Sequence, residues 1–175
     1  LAKAPGGLKG VVALERKLRR EETGKAAAIC LVVIHNISLP PGEYGGDGII
    51  ELFTNRLNPD EHPYYAQIHH HKVSAHFLIR RDGALIQFVS CLHRAWHAGV
   101  SNWQGRERCN DFSVGIELEG SDHETFEPMQ YQTLNRLLAG IKAAYPIEAT
   151  AGHSDIAPGR KTDPGPFFDW QQLTG

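Results

Sequence analysis

The most constraining feature of this chain is a continuous apolar run over residues 29–34, which contains several β-branched side chains. Such side chains favour a β-strand, and the lack of alternating polar residues predicts a central strand that is buried on both faces. The run ends abruptly in His35 and Asn36. Because α/β sheets bind ligands beyond the carboxyl ends of their strands, this polar pair is predicted to lie at a site.

Three further segments have the patterns of strands. Residues 74–81 and 84–90 are strand-like runs separated by Asp82 and Gly83, a composition that predicts an antiparallel hairpin closed by a two-residue type I′ turn. Residues 112–118 alternate, so that positions 112, 114, 116 and 118 share one apolar face. Gly115 and Glu117 lie on the other face, where the glycine leaves open space beside the carboxylate.

The strongest helical pattern covers residues 128–145, and it ends before Pro146. Shorter helices are predicted over residues 49–55 and 11–20. The chain is therefore predicted to be a single α/β domain with a mixed central sheet of about four to six strands flanked by helices. Residues 29–170 would form its core, and residues 1–28 a divergent N-terminal segment. The apolar positions of the strongest helix recur at helical spacing: Leu134, Leu137, Leu138, Ile141 and Tyr145.

Composition narrows the function classes. The 18 basic and 20 acidic side chains of the 175 residues leave a formal charge of −2, so neither nucleic acid nor an anionic membrane is an expected partner. No apolar run approaches the roughly 18 residues of a membrane-spanning helix. Three cysteines without CxxC spacing argue against a disulfide framework and a cysteine zinc site. The first twenty residues lack the apolar block of a secretory signal, so we expect a cytoplasmic protein.

Ten histidines in a chain with one methionine direct attention to metal chemistry. A catalytic zinc site needs three ligands and an open position for water, and His35, His153 and Asp163 are the candidates. The last two lie ten residues apart in a Gly- and Pro-rich segment that predicts a shaped loop rather than a helix or strand. A histidine in such a loop is more often structural or at the surface, so that alternative stays open.

Two more residues have the chemistry that such a site would need. Glu117 is a candidate general base for the attacking water, and Lys161 could stabilise a developing oxyanion. The alternatives are a solvated carboxylate on the outer face of a strand and an ordinary surface cation.

Six sequence blocks together resemble the zinc-dependent N-acetylmuramoyl-L-alanine amidases, and within them the AmpD-type 1,6-anhydro amidases. The resemblance extends over about residues 30–170, and the order and spacing of the blocks are far more specific than any one block. The blocks are residues 33–42, 73–76, 94–99, 105–113, 115–120 and 160–166.

The resemblance implies a fold shared with peptidoglycan-recognition proteins and phage amidases. It also implies Zn²⁺ held by His35, His153 and Asp163, with Glu117 and Lys161 as the catalytic pair. The implied reaction is hydrolysis of the amide between 1,6-anhydro-N-acetylmuramic acid and L-alanine in cytoplasmic peptidoglycan recycling. In many bacteria this flux also sets β-lactamase induction. The expected partner is a small muropeptide, and the expected state is a monomer.

Four residues beside these blocks are predicted to line the substrate groove: Asn36, Trp96, His97 and Arg108. The guanidinium of Arg108 suits a stem-peptide carboxylate by bidentate geometry. The alternatives are that Trp96 belongs to the core and that Arg108 forms a surface salt bridge.

The same residues are compatible with other functions. The same chemistry could act on polymeric peptidoglycan outside the cytoplasm, or the chain could be a non-catalytic muropeptide-binding module. Two histidines and a carboxylate also describe the facial triad of non-haem iron oxygenases. Of the remaining histidines, residues 69–71 are predicted to form a solvated loop, and His76 is predicted to support the site or the core rather than to bind metal.

Overall fold

The computed structural model of the protein describes residues 28–174. The helix predicted for residues 11–20 lies outside the described residues. Within 28–174, no helix is both long enough and apolar enough to cross a membrane.

The core of the described residues is a mixed sheet of five strands: β1 (Leu31–Ile37), β2 (Phe77–Ile79), β3 (Leu85–Gln87), β6 (Ser113–Glu119) and β7 (Ala149–Gly152). A separate ribbon joins β4 (Asn102–Trp103) to β5 (Arg106–Glu107). The strand order of the sheet is β3-β2-β6-β1-β7. The interior strand β1 pairs in parallel with β6 and β7, whereas β2 is parallel to β6 and antiparallel to β3. The α/β class and the mixed sheet are therefore confirmed.

Strand β1 extends further than its apolar run predicts. His35 and Asn36 belong to the strand, which ends only at Ile37, because all seven residues of β1 are paired with β6. The backbone hydrogen bonds of this pairing do not depend on the polarity of the side chains. His35 and Asn36 therefore lie within the last residues of strand β1 rather than after its end.

The hairpin between β2 and β3 differs from the prediction. The backbone amide of Arg80 donates to the carbonyl of Ala84 (2.9 Å), and that of Gly83 donates to the carbonyl of Arg80 (2.9 Å), which closes a three-residue loop. Within this loop only Gly83 has a positive φ, of 82°. A type I′ turn requires positive φ at two central residues, so the predicted two-residue turn is wrong. Three-residue hairpins of this kind place a single glycine in the left-handed region.

In the part of the chain that the structure describes, four helices accompany the sheet: α1 (Gly48–Phe53), α2 (Pro63–Ile68), α3 (Pro128–Ala144) and α4 (His153–Ile156). The long helix α3 is confirmed, and it begins at a proline, whose fixed φ suits a first helical position. Short 3₁₀ turns cover Cys109–Asp111 and Trp170–Gln172.

The two faces of the sheet are covered differently. Helix α3 packs its Leu134, Leu137 and Ile141 against one face, which presents Val32 and Ile34 of β1. The opposite face divides into two apolar clusters. One surrounds Leu78 beneath α1 and α2, and the other surrounds Leu31 and Val33 beside the segment 98–112 and α4. His35 shares this opposite face, since side chains alternate along a strand.

The packing of α3 makes a testable contribution to stability. Leu134 is fully buried in the core, so Leu134→Ala removes packed methyl groups and leaves a cavity. We expect a loss of about 2–5 kcal/mol in the free energy of unfolding, measured by urea denaturation followed by circular dichroism. The control is Gln132→Ala at an exposed position of the same helix, where the expected change is within about 0.5 kcal/mol. Equal effects of the two substitutions would contradict this account of the core.

Candidate functional site

The site begins with the register of the two central strands. His35 of β1 and Glu117 of β6 are direct partners in the parallel pairing, so their side chains emerge side by side on the same face. Both are buried. The sheet therefore places an imidazole and a carboxylate next to each other at its carboxyl edge, where the sequence predicts a site.

His153 reaches the same place from the neighbouring strand. Strand β7 pairs with β1 and ends at Gly152, and His153 is the first residue of α4. The predicted loop at His153 is therefore wrong. Its backbone starts a helical turn because the side chain of Asp155 turns back and accepts a hydrogen bond from the amide of Gly152 (2.7 Å). This capping interaction satisfies one of the free amides that precede a helix.

Asp163 arrives from the loop that follows α4. Its carbonyl accepts a hydrogen bond from the amide of Ser154 (3.0 Å), which fastens the loop to the start of the helix. The loop thereby returns the Asp163 carboxylate to His153, ten residues earlier, as the prediction required.

The side chains of His35, His153 and Asp163 converge on one point. Nδ1 of His35 lies 3.0 Å from Nδ1 of His153 and 2.9 Å from Oδ2 of Asp163, and the distance from His153 Nδ1 to the same oxygen is 3.0 Å. Among residues 28–174, this is the only group of three or more histidine, cysteine or acidic residues that could hold a metal ion.

The donor set fits a divalent transition metal. Two imidazole nitrogens and one carboxylate oxygen are ligands that suit zinc, and a catalytic zinc site keeps its fourth position open. Tetrahedral ligands about 2.0–2.1 Å from zinc are about 3.3 Å apart, a few tenths of an ångström more than the separations here. A small outward shift of the three side chains would accommodate such an ion.

The electrostatics of the triad favour a bound cation. Burial lowers the pKa of His35, and this effect outweighs the opposing effect of its close contact with Asp163. Burial alone would raise the pKa of Asp163, but close contacts with the imidazoles of His153 and His35 hold the pKa well below its usual range. The carboxylate is therefore ionised and His35 is held toward its neutral form, the states in which these side chains bind metals.

Glu117 is an unusual carboxylate. Its Oε2 is buried and has no hydrogen-bond partner among the residues the structure describes. Burial raises the pKa of Glu117 well above its ordinary value, the nearby negative charge of Asp163 adds to the rise, and Lys161 opposes it. The alternative of a solvated carboxylate is therefore wrong. A buried group that is poorly satisfied and faces a cavity is suited to exchange protons.

The triad and Glu117 lie in a cavity of about 900 Å³. Asn36, Trp96, His97 and Lys161 also line it, so the structure brings these predicted residues to one place. Asn36 Nδ2 donates to Asp122 Oδ1 (2.6 Å) and to the carbonyl of Pro164 (3.0 Å). Lys161 is exposed. Its ammonium group is therefore free to approach a ligand.

Trp96 and Arg108 have different outcomes. Trp96 is 54 % exposed, so the alternative that it belongs to the core is wrong, and the Arg94 guanidinium lies 4.0 Å from the centre of its ring. Arg108 is not among the residues that line the cavity. It lines an adjoining depression of about 480 Å³, and its Nε lies 3.2 Å from Oδ2 of Asp111. The structure therefore shows the surface salt bridge that the sequence left open.

Sequence reasoning missed other residues that line the cavity. The segment from Ser121 to Glu124 follows β6, and Arg160 precedes Lys161. The position of the first segment was a usable signal, because residues just beyond the carboxyl end of a central parallel strand border the site in such sheets.

His76 and the histidines at 69–71 lie where the sequence predicts. His76 is buried, and its Nδ1 accepts a hydrogen bond from the amide of Gly115 (3.0 Å) while its Nε2 donates to the carbonyl of His93 (3.1 Å). It therefore supports β6 rather than binding metal. Residues 69–71 are exposed.

Comparison with known proteins gives a consistent result. The profile of the N-acetylmuramoyl-L-alanine amidase family matches residues 25–166. The chain is 60 % identical over 145 residues to the 1,6-anhydro-N-acetylmuramyl-L-alanine amidase AmpD of Salmonella typhimurium, which covers 82 % of this chain and 78 % of the relative.

Solved structures agree. A crystal structure of a selenomethionine derivative of AmpD superposes with a TM-score of 0.82 and 54 % identity, covering 89 % of this chain and 86 % of the other. The amidase AmiD from Escherichia coli, solved in complex with the substrate anhydro-N-acetylmuramic acid-L-Ala-D-γ-Glu-L-Lys, superposes with a TM-score of 0.64 and 33 % identity, covering 83 % of this chain and 56 % of the other. With its fold, its cavity and the matched profile in agreement, this chain belongs to the N-acetylmuramoyl-L-alanine amidase family.

Proposed function

We propose that this protein is a zinc-dependent amidase that cleaves the bond between 1,6-anhydro-N-acetylmuramic acid and the L-alanine of the stem peptide. The observation that carries the proposal is the convergence of three metal-binding side chains beside the buried Glu117 in one cavity. The names of the AmpD relatives support the choice of the anhydro substrate. The family profile supports the choice of bond.

The metal would be held by His35 Nδ1, His153 Nδ1 and Asp163 Oδ2. When bound, zinc supplies a Lewis acid that lowers the pKa of water and polarises a carbonyl. Glu117 removes a proton from the attacking water and delivers it to the departing amine of L-alanine. The ammonium group of Lys161 stabilises the negative charge that develops on the carbonyl oxygen.

The cavity is large enough for a small muropeptide, since ligand sites of this kind occupy about 300–1,000 Å³. We assign Asn36, Trp96 and His97 to its lining, where the exposed indole of Trp96 offers an apolar surface. Arg108 lies in the adjoining depression, which Arg160 also lines. It would therefore contact only a part of the substrate that extends beyond the cavity, such as a carboxylate of the stem peptide.

We place this activity in cytoplasmic peptidoglycan recycling by a monomeric enzyme, with an indirect effect on β-lactamase induction. The alternative substrate is polymeric peptidoglycan, and the alternative function is muropeptide binding without cleavage. The unpartnered, buried Glu117 oxygen favours catalysis over mere binding, because a binding module has no use for such an energetically costly group.

The first test is incubation of the protein with 1,6-anhydro-N-acetylmuramyl-tripeptide, and separately with intact sacculi, followed by mass spectrometry. We expect free tripeptide and 1,6-anhydro-N-acetylmuramic acid from the soluble substrate alone. A chelator should abolish the reaction, and added zinc should restore it. Equal cleavage of sacculi would indicate that the protein acts in remodelling of the cell wall, whereas zinc binding without any cleavage would identify a binding module.

Substitution of Asp163 tests the metal site. Asp163→Ala removes the only anionic ligand of the triad, so we expect zinc content, measured by mass spectrometry of the metal, and amidase activity to fall together to background. The matched control is Asp60→Ala, which removes an exposed carboxylate; Asp60 is not among the residues that line the cavity. Full zinc content in the Asp163 variant would exclude this residue as a ligand.

Substitution of Glu117 separates proton transfer from metal binding. Glu117→Gln keeps the size of the side chain but cannot accept the proton, so we expect kcat to fall by about 10²–10⁴-fold while zinc content stays near one per chain. Circular dichroism would check that the fold is retained. Loss of zinc together with activity would show that Glu117 supports the metal rather than acting as the base.

A further inference from the structure

A chain of hydrogen bonds runs from His35 into the interior. Nε2 of His35 lies 2.9 Å from Nδ1 of His97, and Nε2 of His97 lies 3.3 Å from Oγ of Ser113. The hydroxyl of Ser113 in turn donates to the carbonyl of Cys109 at 2.6 Å. The chain thus begins on the side of the His35 ring that faces away from Asp163 and ends at a buried backbone carbonyl.

The chemistry at the far end fixes the direction of every hydrogen bond. A carbonyl oxygen can only accept, so the single hydroxyl proton of Ser113 is used on Cys109, and Ser113 Oγ must accept from His97 Nε2–H. Neutral His97 then carries a lone pair on Nδ1, which must accept from His35 Nε2–H. His35 is left with its own lone pair on Nδ1, the atom that faces His153 and Asp163.

We propose that His97 and Ser113 are positioning residues that hold His35 in the Nε2–H tautomer and thereby keep its Nδ1 available to the metal. The inference rests on the proposed function, because it concerns the metal site assigned there. It gives His97 a role through His35 in addition to its place in the lining of the cavity.

The chain opposes a competing arrangement. Oδ2 of Asp163 lies 2.9 Å from His35 Nδ1 and would accept a proton from it. In that tautomer, His35 Nδ1 could not bind a metal. Without the Ser113 acceptor, His97 can move its proton to Nδ1 and donate to His35 Nε2, and the His35 proton then lies toward Asp163. The Ser113 hydroxyl therefore favours the arrangement that leaves His35 Nδ1 without a proton.

The surroundings are built to hold the His97 ring in place. A Cβ at position 115 would collide with the imidazole of His97, so Gly115 provides the space for the ring. The buried Oδ1 of Asn110 accepts hydrogen bonds from the amides of His97 (3.1 Å) and Ala98 (2.8 Å). One side chain therefore fixes the backbone that carries this ring.

The same short segment orients the second histidine. The carbonyl of Ala98 accepts from Nε2 of His153 (3.0 Å) and from Nη2 of Arg160 (2.7 Å). Nε2 of His153 also lies 3.4 Å from Nη2 of Arg160, which can only donate. The shorter contact is with the Ala98 carbonyl, which can only accept, so it favours the Nε2–H tautomer of His153. Adjacent residues 97 and 98 thus set the tautomers of both imidazole ligands. Such supporting hydrogen bonds commonly change metal affinity by about 10–100-fold.

The test on variants compares three hydroxyl substitutions by their zinc affinity, measured by competition with a chromophoric chelator. We expect Ser113→Ala to weaken binding by about 10–100-fold and Ser113→Thr, which keeps the hydroxyl, to restore most of it. Thr133→Val is the control, because it also removes a hydroxyl that donates to a backbone carbonyl, here that of Gly83 (2.8 Å), and Thr133 is not among the residues that line the cavity. Unchanged affinity in Ser113→Ala, or an equal loss in Thr133→Val, would overturn the proposal.

A second measurement needs no substitution. Long-range ¹H–¹⁵N correlation of the imidazole nitrogens should show His97 protonated at Nε2 and bare at Nδ1, with or without zinc, because Ser113 and Cys109 do not depend on the metal. In metal-free Ser113→Ala, the His35 proton should move toward Nδ1. A His97 ring protonated at Nδ1 in the unaltered protein would overturn the inference. Failure of the unaltered protein to bind zinc would instead overturn the proposed metal site, while the His97 tautomer would still be readable.

Discussion

The parallel pairing of β1 with β6 is the constraint on which the rest of the site depends. Its register sets His35 directly beside Glu117. The parallel pairing of β7 with the other edge of β1 delivers His153 to the same end of the sheet. A shift of β1 or β6 by one residue would turn the side chain of His35 or Glu117 to the opposite face of the sheet, which is filled by the apolar cluster of α3. The hydrophobic core therefore enforces the register, and the register assembles the site.

Two glutamates on the same face of β6 differ in their hydrogen bonding, which suits Glu119 to a structural role and Glu117 to a reactive one. Glu119 accepts hydrogen bonds from the amide of Gly45 (2.7 Å) and from Nη1 of Arg80 (3.1 Å), so its buried charge is compensated. Glu117, two residues earlier, retains an oxygen without a partner among the described residues. Burial of such a group is destabilising. This cost of burying Glu117 is explained if a water molecule that takes part in the reaction completes the hydrogen bonding of the carboxylate.

The sequence predicts the parts of this structure that follow from periodicity. The apolar run around Val33, the alternation around Ile116 and the spacing of Leu134 each determine an element and the face it buries. The loop length of the hairpin at Gly83 was predicted wrongly because Asp-Gly is typical of both two-residue and three-residue loops. The helical turn at His153 depends on capping by Asp155, a contact that no periodicity reveals. The residues of the candidate metal site could be proposed from their chemical types. That their side chains converge could not be predicted without the order of the strands in the sheet.

The position of Arg108 and the hydrogen-bond chain behind His35 illustrate a deeper limit. Whether an arginine meets a substrate or a neighbouring aspartate depends on loop conformation, here a left-handed residue at the start of a 3₁₀ turn. The role of Ser113 depends on a single backbone carbonyl at 2.6 Å. Serine and histidine at these positions carry no pattern of their own, yet the direction of each hydrogen bond follows once the final acceptor is known. The groups that determine how a metal is held are thus fixed by contacts several bonds away from it, and these contacts become visible only when the sheet and its covering segment are assembled.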